Sequence, residues 1–168
     1  MPDDRLVVSD TSPLLNLSLI NRLDLLDAQF GSITVPEAVW EELTAGEDGL
    51  DALRSLRRRG VVSTVAVERS PLYVELRREL DPGETAALTY AIESGADLLL
   101  LDERDARQIA RRHDLQITGV IGILLRAARN DRIDLEPELD RLRDCGFWIS
   151  EDLYRDVLNG TDAEPDSR

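Results

Sequence analysis

Asp10 and Asp102 each close a short apolar run, Leu6-Val7-Val8-Ser9 before the first and Leu98-Leu99-Leu100-Leu101 before the second. Four leucines without alternation suit a strand buried on both faces of a parallel sheet. In an open α/β sheet, ligand sites form at the C-terminal ends of such strands. Two aspartates at that edge, joined by glutamates from adjacent helices, would bring several carboxylate oxygens into one cleft, which is how Mg²⁺ or Mn²⁺ is commonly held. Glu84 is the helical acid with the clearest placement. Asp81-Pro82-Gly83-Glu84 reads as a helix start, with Asp81 as N-cap, Pro82 at the first helical position and Glu84 three residues beyond the cap. The apolar positions Ala87, Leu88, Ala91 and Ile92 then share a face, so Glu84 lies at its lip. Acids must carry the chemistry, because His113 and Cys145 are each the only residue of their type and no glycine-rich phosphate loop is present.

Each acid also has a plain structural role. Asp10 can cap the helix that follows it, Glu84 can complete a capping box with Asp81, and Asp102 can pair with Asp105 in a similar arrangement. Taken singly, these roles account for each residue. Their joint position at one sheet edge is what points to a metal site.

The elements that must position these acids follow from apolar periodicity. Thr11-Ser12-Pro13 opens a helix through Leu14, Leu17, Leu25 and Leu26 to about Phe30, with Asn16 in its first turn. Ile33-Thr34-Val35 is a strand, and Pro36 starts a helix through Val39, Trp40 and Leu43 that carries Glu37, Glu41 and Glu42. Residues 50–59 read as a helix ending in Arg57-Arg58-Arg59, Val61 to Val67 as a β-branched strand, and Ser70 to Leu80 as a helix. Beyond Asp102, Arg104, Arg107 and Arg111 recur as one helical stripe, read here as a solvated face or as phosphate contacts. Leu115 to Thr118 is a strand, and Gly119 to Arg129 an apolar helix with small residues near its start. A helix over about 136–144, a brief Phe147-Trp148-Ile149 run and a last helix to Leu158 complete the chain, leaving a disordered tail over 159–168.

With 168 residues and 42% hydrophobic composition, the chain is sized for one domain over 1–158. No apolar run approaches a membrane span, and the lone Cys145 allows no intramolecular disulfide, so a soluble protein of the cytoplasm is expected. Acidic residues number 34 against 20 basic ones, for a net charge of −14, and every basic residue is arginine. Such a surface repels nucleic acid at low salt. Adaptation to high intracellular salt is the other reading, since screening there confines charge effects to a few ångströms, about 3 Å at 1 M.

The order of motifs supports a resemblance. Val8-Ser9-Asp10-Thr11-Ser12-Pro13, Val35-Pro36 with Glu42 six residues after the proline, Gly83-Glu84, Leu101-Asp102-Glu103-Arg104 and the later Thr118-Gly119…Gly122…Leu125-Arg126-Ala127 segment together resemble a PIN domain over residues 5–132, with a helical extension over 133–158. The resemblance is to the prokaryotic branch that includes VapC-type toxins and proteins known only as predicted nucleic-acid binders. It implies a three-layer α/β/α fold with a central parallel sheet and an acidic quartet of Asp10, Glu42, Glu84 and Asp102, supported by Thr11 or Ser12. Asp10, Glu84 and Asp102 are the implied metal ligands. Glu84 departs from the aspartate usual at its position, Glu41 rivals Glu42, and Asp105 is a candidate second aspartate beside Asp102.

The activity that the resemblance implies is metal-dependent hydrolysis of RNA with Mg²⁺ or Mn²⁺, as in the toxins of toxin–antitoxin pairs, with RNA, a cognate antitoxin and a second copy of the chain as partners. Apolar helices near Leu14 to Leu26 and Leu50 to Leu56 are the expected dimer surface. The alternatives are a PIN-fold protein that binds RNA or a partner without cutting, and a receiver-like phosphoacceptor domain. Against the latter stand the missing acidic pair after the first strand and the absence of lysine. Trp40 and Trp148 are read as base-stacking or core residues, and His113 as an exposed loop residue.

Overall fold

Runs too short and too apolar to be surface helices become the strands of one parallel sheet. In the computed structural model, which describes residues 4–160, these are β1 (Val7–Ser9), β2 (Ile33–Pro36), β3 (Val62–Val65), β4 (Leu98–Leu100) and β5 (Ile117–Thr118). Their order is β3-β2-β1-β4-β5, and every neighbouring pair is parallel. Helices α1 (Thr11–Leu19), α2 (Asp24–Phe30), α3 (Glu37–Ala45), α4 (Leu50–Arg58), α5 (Pro71–Leu76), α6 (Pro82–Ser94), α7 (Arg104–Arg112), α8 (Val120–Arg129), α9 (Leu135–Asp144) and α10 (Glu151–Leu158) cover it.

The leucine run shows why the fold has three layers. Alternate side chains of a strand point to opposite faces. Leu100 accordingly joins a core built with α1 to α4 and α8 to α10, whereas Leu99 and Leu101 join a second core built with α5, α6 and α7. Val7 and Val8 divide between the same two cores. The register pairs Ser9 with Leu100, so the residues that leave β1 and β4 emerge side by side at one edge.

Several sequence expectations need correction. The first long helix is two, because Asn21 takes a left-handed conformation (φ 58°) between Leu19 and Asp24 and turns the chain. The helix expected to reach Leu80 ends at Leu76 and continues as turns. Phe147 and Ile149 pack on the core while Trp148 is 82% exposed. In the helices expected to offer a dimer surface, Leu14, Leu17, Leu25, Leu26, Leu53 and Leu56 are buried inside the core, while Leu15 is 37% exposed. No described helix is long and apolar enough to cross a membrane. The expected tail beyond Gly160 lies outside the described residues.

Candidate active site

Asp10 follows β1 directly, and its backbone N–H donates to the Leu100 carbonyl of β4 at 3.0 Å. Its side chain makes no cap of the usual kind for α1, so the plain structural role foreseen for it does not account for a residue only 3% exposed. Asp102 stands just beyond β4 at the same edge. Its Oδ1 accepts from the Val120 N–H at the start of α8, 3.0 Å away. Nor does Asp102 cap α7: the N-cap position is Glu103, with no side-chain cap bond. Gly119 is required here, since a Cβ at that position would collide with Asp102 Oδ1 and crowd Arg107.

The two glutamates arrive from helices. Thr11 Oγ1 donates to Glu42 Oε2 at 2.8 Å, tying α3 to the start of α1. The Glu42 carboxylate also lies against Gly83, where a Cβ would approach its Oε1 to 2.6 Å. Proximity to the first turn of α6 suits a carboxylate, because free N–H groups give a helix N-terminus positive character. Glu41 and Glu42 are both exposed, and Glu42 is the one that makes these contacts. Glu84 forms the expected capping box: its N–H donates to Asp81 Oδ1 at 2.8 Å, and the Asp81 N–H donates back to Glu84 Oε2 at 3.3 Å.

Crowding these acids at a buried edge makes ionisation costly. Burial pushes the Asp10 carboxyl up to about 7, against the Thr11 backbone hydrogen bond, and the charges of Glu84, Asp81 and Glu42 raise it further. Glu84 is also lifted to about 7, first by burial and then by Asp81. Asp102 rises to about 6 through burial, while the Val120 N–H, the Arg107 guanidinium and the Asn16 amide pull it down. Three carboxyls thus hold protons about two to three pH units above their ordinary range of about 4.

Among the described residues, no three acidic, histidine or cysteine side chains stand close enough to hold one ion directly between them. Asp102 Oδ2, however, is buried without a hydrogen-bond partner, a state whose desolvation cost a cation would relieve. Mg²⁺ keeps several waters and takes one or two carboxylates directly. Asp10, Glu84 and Asp102 therefore fit a hydrated divalent cation with part of its coordination through water.

Arg107 is the residue that sequence reasoning misassigned. Instead of sharing an exposed stripe with Arg104 and Arg111, it is 2% exposed, donates from Nη1 to the Leu101 carbonyl at 2.5 Å and sets its charge beside Asp102. Its small neighbours Ala106 and Ala110, both fully buried, were the signal. Asn16 was placed correctly in α1, but its reach to Asp102 was not foreseen. Asp105 and His113 are exposed.

Comparison with known proteins adds one result. A family model described as a PIN domain matches residues 6–163, a span that takes in α9 and α10 as well as the whole sheet. No curated protein matches the chain.

Proposed function

The chain belongs to the PIN-domain family, a nuclease-type fold whose members typically use divalent metals, and from that premise we propose that it is a Mg²⁺- or Mn²⁺-dependent endoribonuclease acting through Asp10, Glu42, Glu84 and Asp102. The observation that supports this most is geometric: Asp10 and Asp102 leave the adjacent strands β1 and β4 at one sheet edge, and Asp102 Oδ2 is buried there without a partner. A bound divalent ion would make a water nucleophilic near neutral pH and neutralise charge on the scissile phosphate. The chain's own contribution is to prepare its acids for that ion. Val120 N–H, Asn16 and Arg107 hold Asp102 in one orientation, and Thr11 holds Glu42. Asp10 and Glu84, at about 7, can exchange protons with water at neutral pH.

The same reading extends to a cytoplasmic role as the toxin of a toxin–antitoxin pair. Because Leu14, Leu17, Leu25, Leu26, Leu53 and Leu56 are core residues, a second copy or an antitoxin would meet the remaining residues of these helices, such as the exposed Leu15, or another surface. Labelled RNA incubated with Mn²⁺ at high ionic strength provides the test. Internal cleavage that stops with EDTA and with Asp102→Asn is expected. Cleavage that survives both, or no cleavage of any RNA tried, overturns the proposal, the second result favouring a PIN-fold protein that binds without cutting.

A further inference from the structure

On the far side of α3 from Glu42 lies an open cavity of about 530 Å³ lined by Trp40 and Thr44 of α3 and by Arg54, Arg57 and Arg58 of α4. Trp40 and Glu42 are two residues apart, which turns their side chains about 200° around the helix axis. The contacts agree: Glu42 meets Thr11 and Gly83, whereas the Arg57 guanidinium lies 5.1 Å from the centre of the Trp40 ring. Arg57 Nη2 also donates to Thr64 Oγ1 of β3 at 3.3 Å. Thr64 is one residue from the end of its strand, so this cavity flanks the same C-terminal sheet edge as Asp10 and Asp102.

Its charge is local and of one sign in a chain of net charge −14. Arg59 next door reaches Asp27 at 3.6 Å. Among the described residues, no carboxylate forms an ion pair with Arg54, Arg57 or Arg58. An aromatic ring backed by one guanidinium, with two further guanidinium groups unneutralised beside it, combines a flat stacking wall with phosphate donors. Single-stranded nucleic acid is held by that combination, bases on aromatic faces and backbone on arginines. A protein partner would need only an acidic side chain, and the stacked Trp40–Arg57 wall favours the nucleotide.

We propose that the Trp40–Arg54–Arg57–Arg58 cavity is a binding subsite for one nucleotide of single-stranded RNA, its base against Trp40 and Arg57 and its phosphate on Arg54 and Arg58. The inference rests on the ribonuclease reading for the identity of the strand. It adds that the strand is gripped across α3, about one helix width (~10 Å) from the acids.

Binding of a short labelled single-stranded RNA, followed by fluorescence anisotropy in EDTA, tests it without chemistry. The double variant Arg54→Gln/Arg58→Gln changes only exposed side chains and should weaken binding about tenfold, lowering the slope of log Kd against log salt by about 0.7 for the one phosphate no longer neutralised. Trp40→Leu should cost about tenfold as well. In Trp148→Phe protein, where Trp40 alone emits, saturation with RNA should quench the fluorescence. Unchanged affinity and salt slope in the double variant overturn the proposal, as does displacement of RNA by a glutamate-rich peptide of similar affinity, which would assign the cavity to a protein partner. Cleavage assays keep the two ideas apart. Cavity-dependent binding without cleavage overturns the ribonuclease reading and supports the subsite; cleavage with cavity-independent binding does the reverse. If both hold, the double variant raises KM and leaves kcat unchanged.

Discussion

Helices α4 and α7 look alike on paper, each a nine-residue amphipathic segment rich in arginine, yet they use that residue oppositely. In α7 the apolar face includes Ala106 and Ala110, and their small side chains leave room against the sheet for Arg107 to enter the interior and pair with Asp102. In α4 the equivalent face is filled by Leu53 and Leu56, so Arg54, Arg57 and Arg58 remain outside around Trp40. The size of the apolar neighbours, and not the arginine pattern, decides which guanidinium serves the acids and which faces a ligand. Arg107 acts inward as a positioning residue. The α4 arginines act outward.

Replacing one arginine from each helix should separate these roles most sharply. Arg107→Met removes the donor to the Leu101 carbonyl and the charge beside Asp102, leaving a buried acceptor and a buried carboxylate uncompensated. Breaking a buried charged pair from one side costs about 3 kcal/mol or more, and RNA cleavage should be lost with it. Arg54→Met, at an exposed position, should shift stability by less than about 0.5 kcal/mol. Urea unfolding measures both. Equal losses in the two variants would end the distinction between the helices.

Asp102→Asn sharpens the α7 side further. Asparagine can still accept from the Val120 N–H, and it removes a charge that is costly to bury, but it also deprives Arg107 of its counter-charge. These effects oppose each other, so metal-free stability should change little, by about 1 kcal/mol at most. Stabilisation by Mn²⁺ should be much weaker and cleavage abolished. Thermal melts with and without Mn²⁺ at fixed ionic strength decide it: an Mn²⁺-induced shift as large as that of wild type would remove Asp102 from the ligand set.

How far this was legible beforehand depends on the kind of signal. The leucine run ending on Asp102 and the Asp81-Pro82-Gly83-Glu84 cap are local, and a parallel strand and a capping box appear where they predict. The break at Asn21 was hidden because Leu14, Leu17, Leu25 and Leu26 keep a helical rhythm across it, while its cause is a backbone conformation at one residue. Arg107 and Asn16 were beyond periodicity for a different reason. Their partner, Asp102, lies on another element, and only the sheet brings them together.

Acidity should move the acid edge and leave the α4 cavity alone. In the unfolded chain these carboxyls ionise near 4, whereas in the fold Asp10 and Glu84 hold their protons to about 7 and Asp102 to about 6. Between roughly pH 4 and 7 the folded state therefore binds more protons than the unfolded state, and stability must fall as pH rises through that window. Metal-free protein should melt on the order of 5 °C lower at pH 8 than at pH 5. Mn²⁺ should recover much of the loss at pH 8, and Asp10→Asn should flatten the metal-free slope. A slope that Asp10→Asn leaves intact would assign the effect to the many surface carboxylates instead.

The smallest effect belongs to the cavity arginines as structural residues. Arg54→Gln/Arg58→Gln breaks no ion pair among the described residues, but it removes two of 20 basic charges from a chain whose net charge is already −14. Arg58 also ends α4, where a cation interacts favourably with the helix C-terminus by about 0.3–1 kcal/mol at low salt. Both contributions are electrostatic and exposed, so salt must erase them. The double variant should melt slightly below wild type at low ionic strength, by about 2 °C, and together with it at 1 M, where the Debye length is about 3 Å. A deficit that persists at 1 M salt would mean that these side chains support the fold through packing, and that α4 resembles α7 after all.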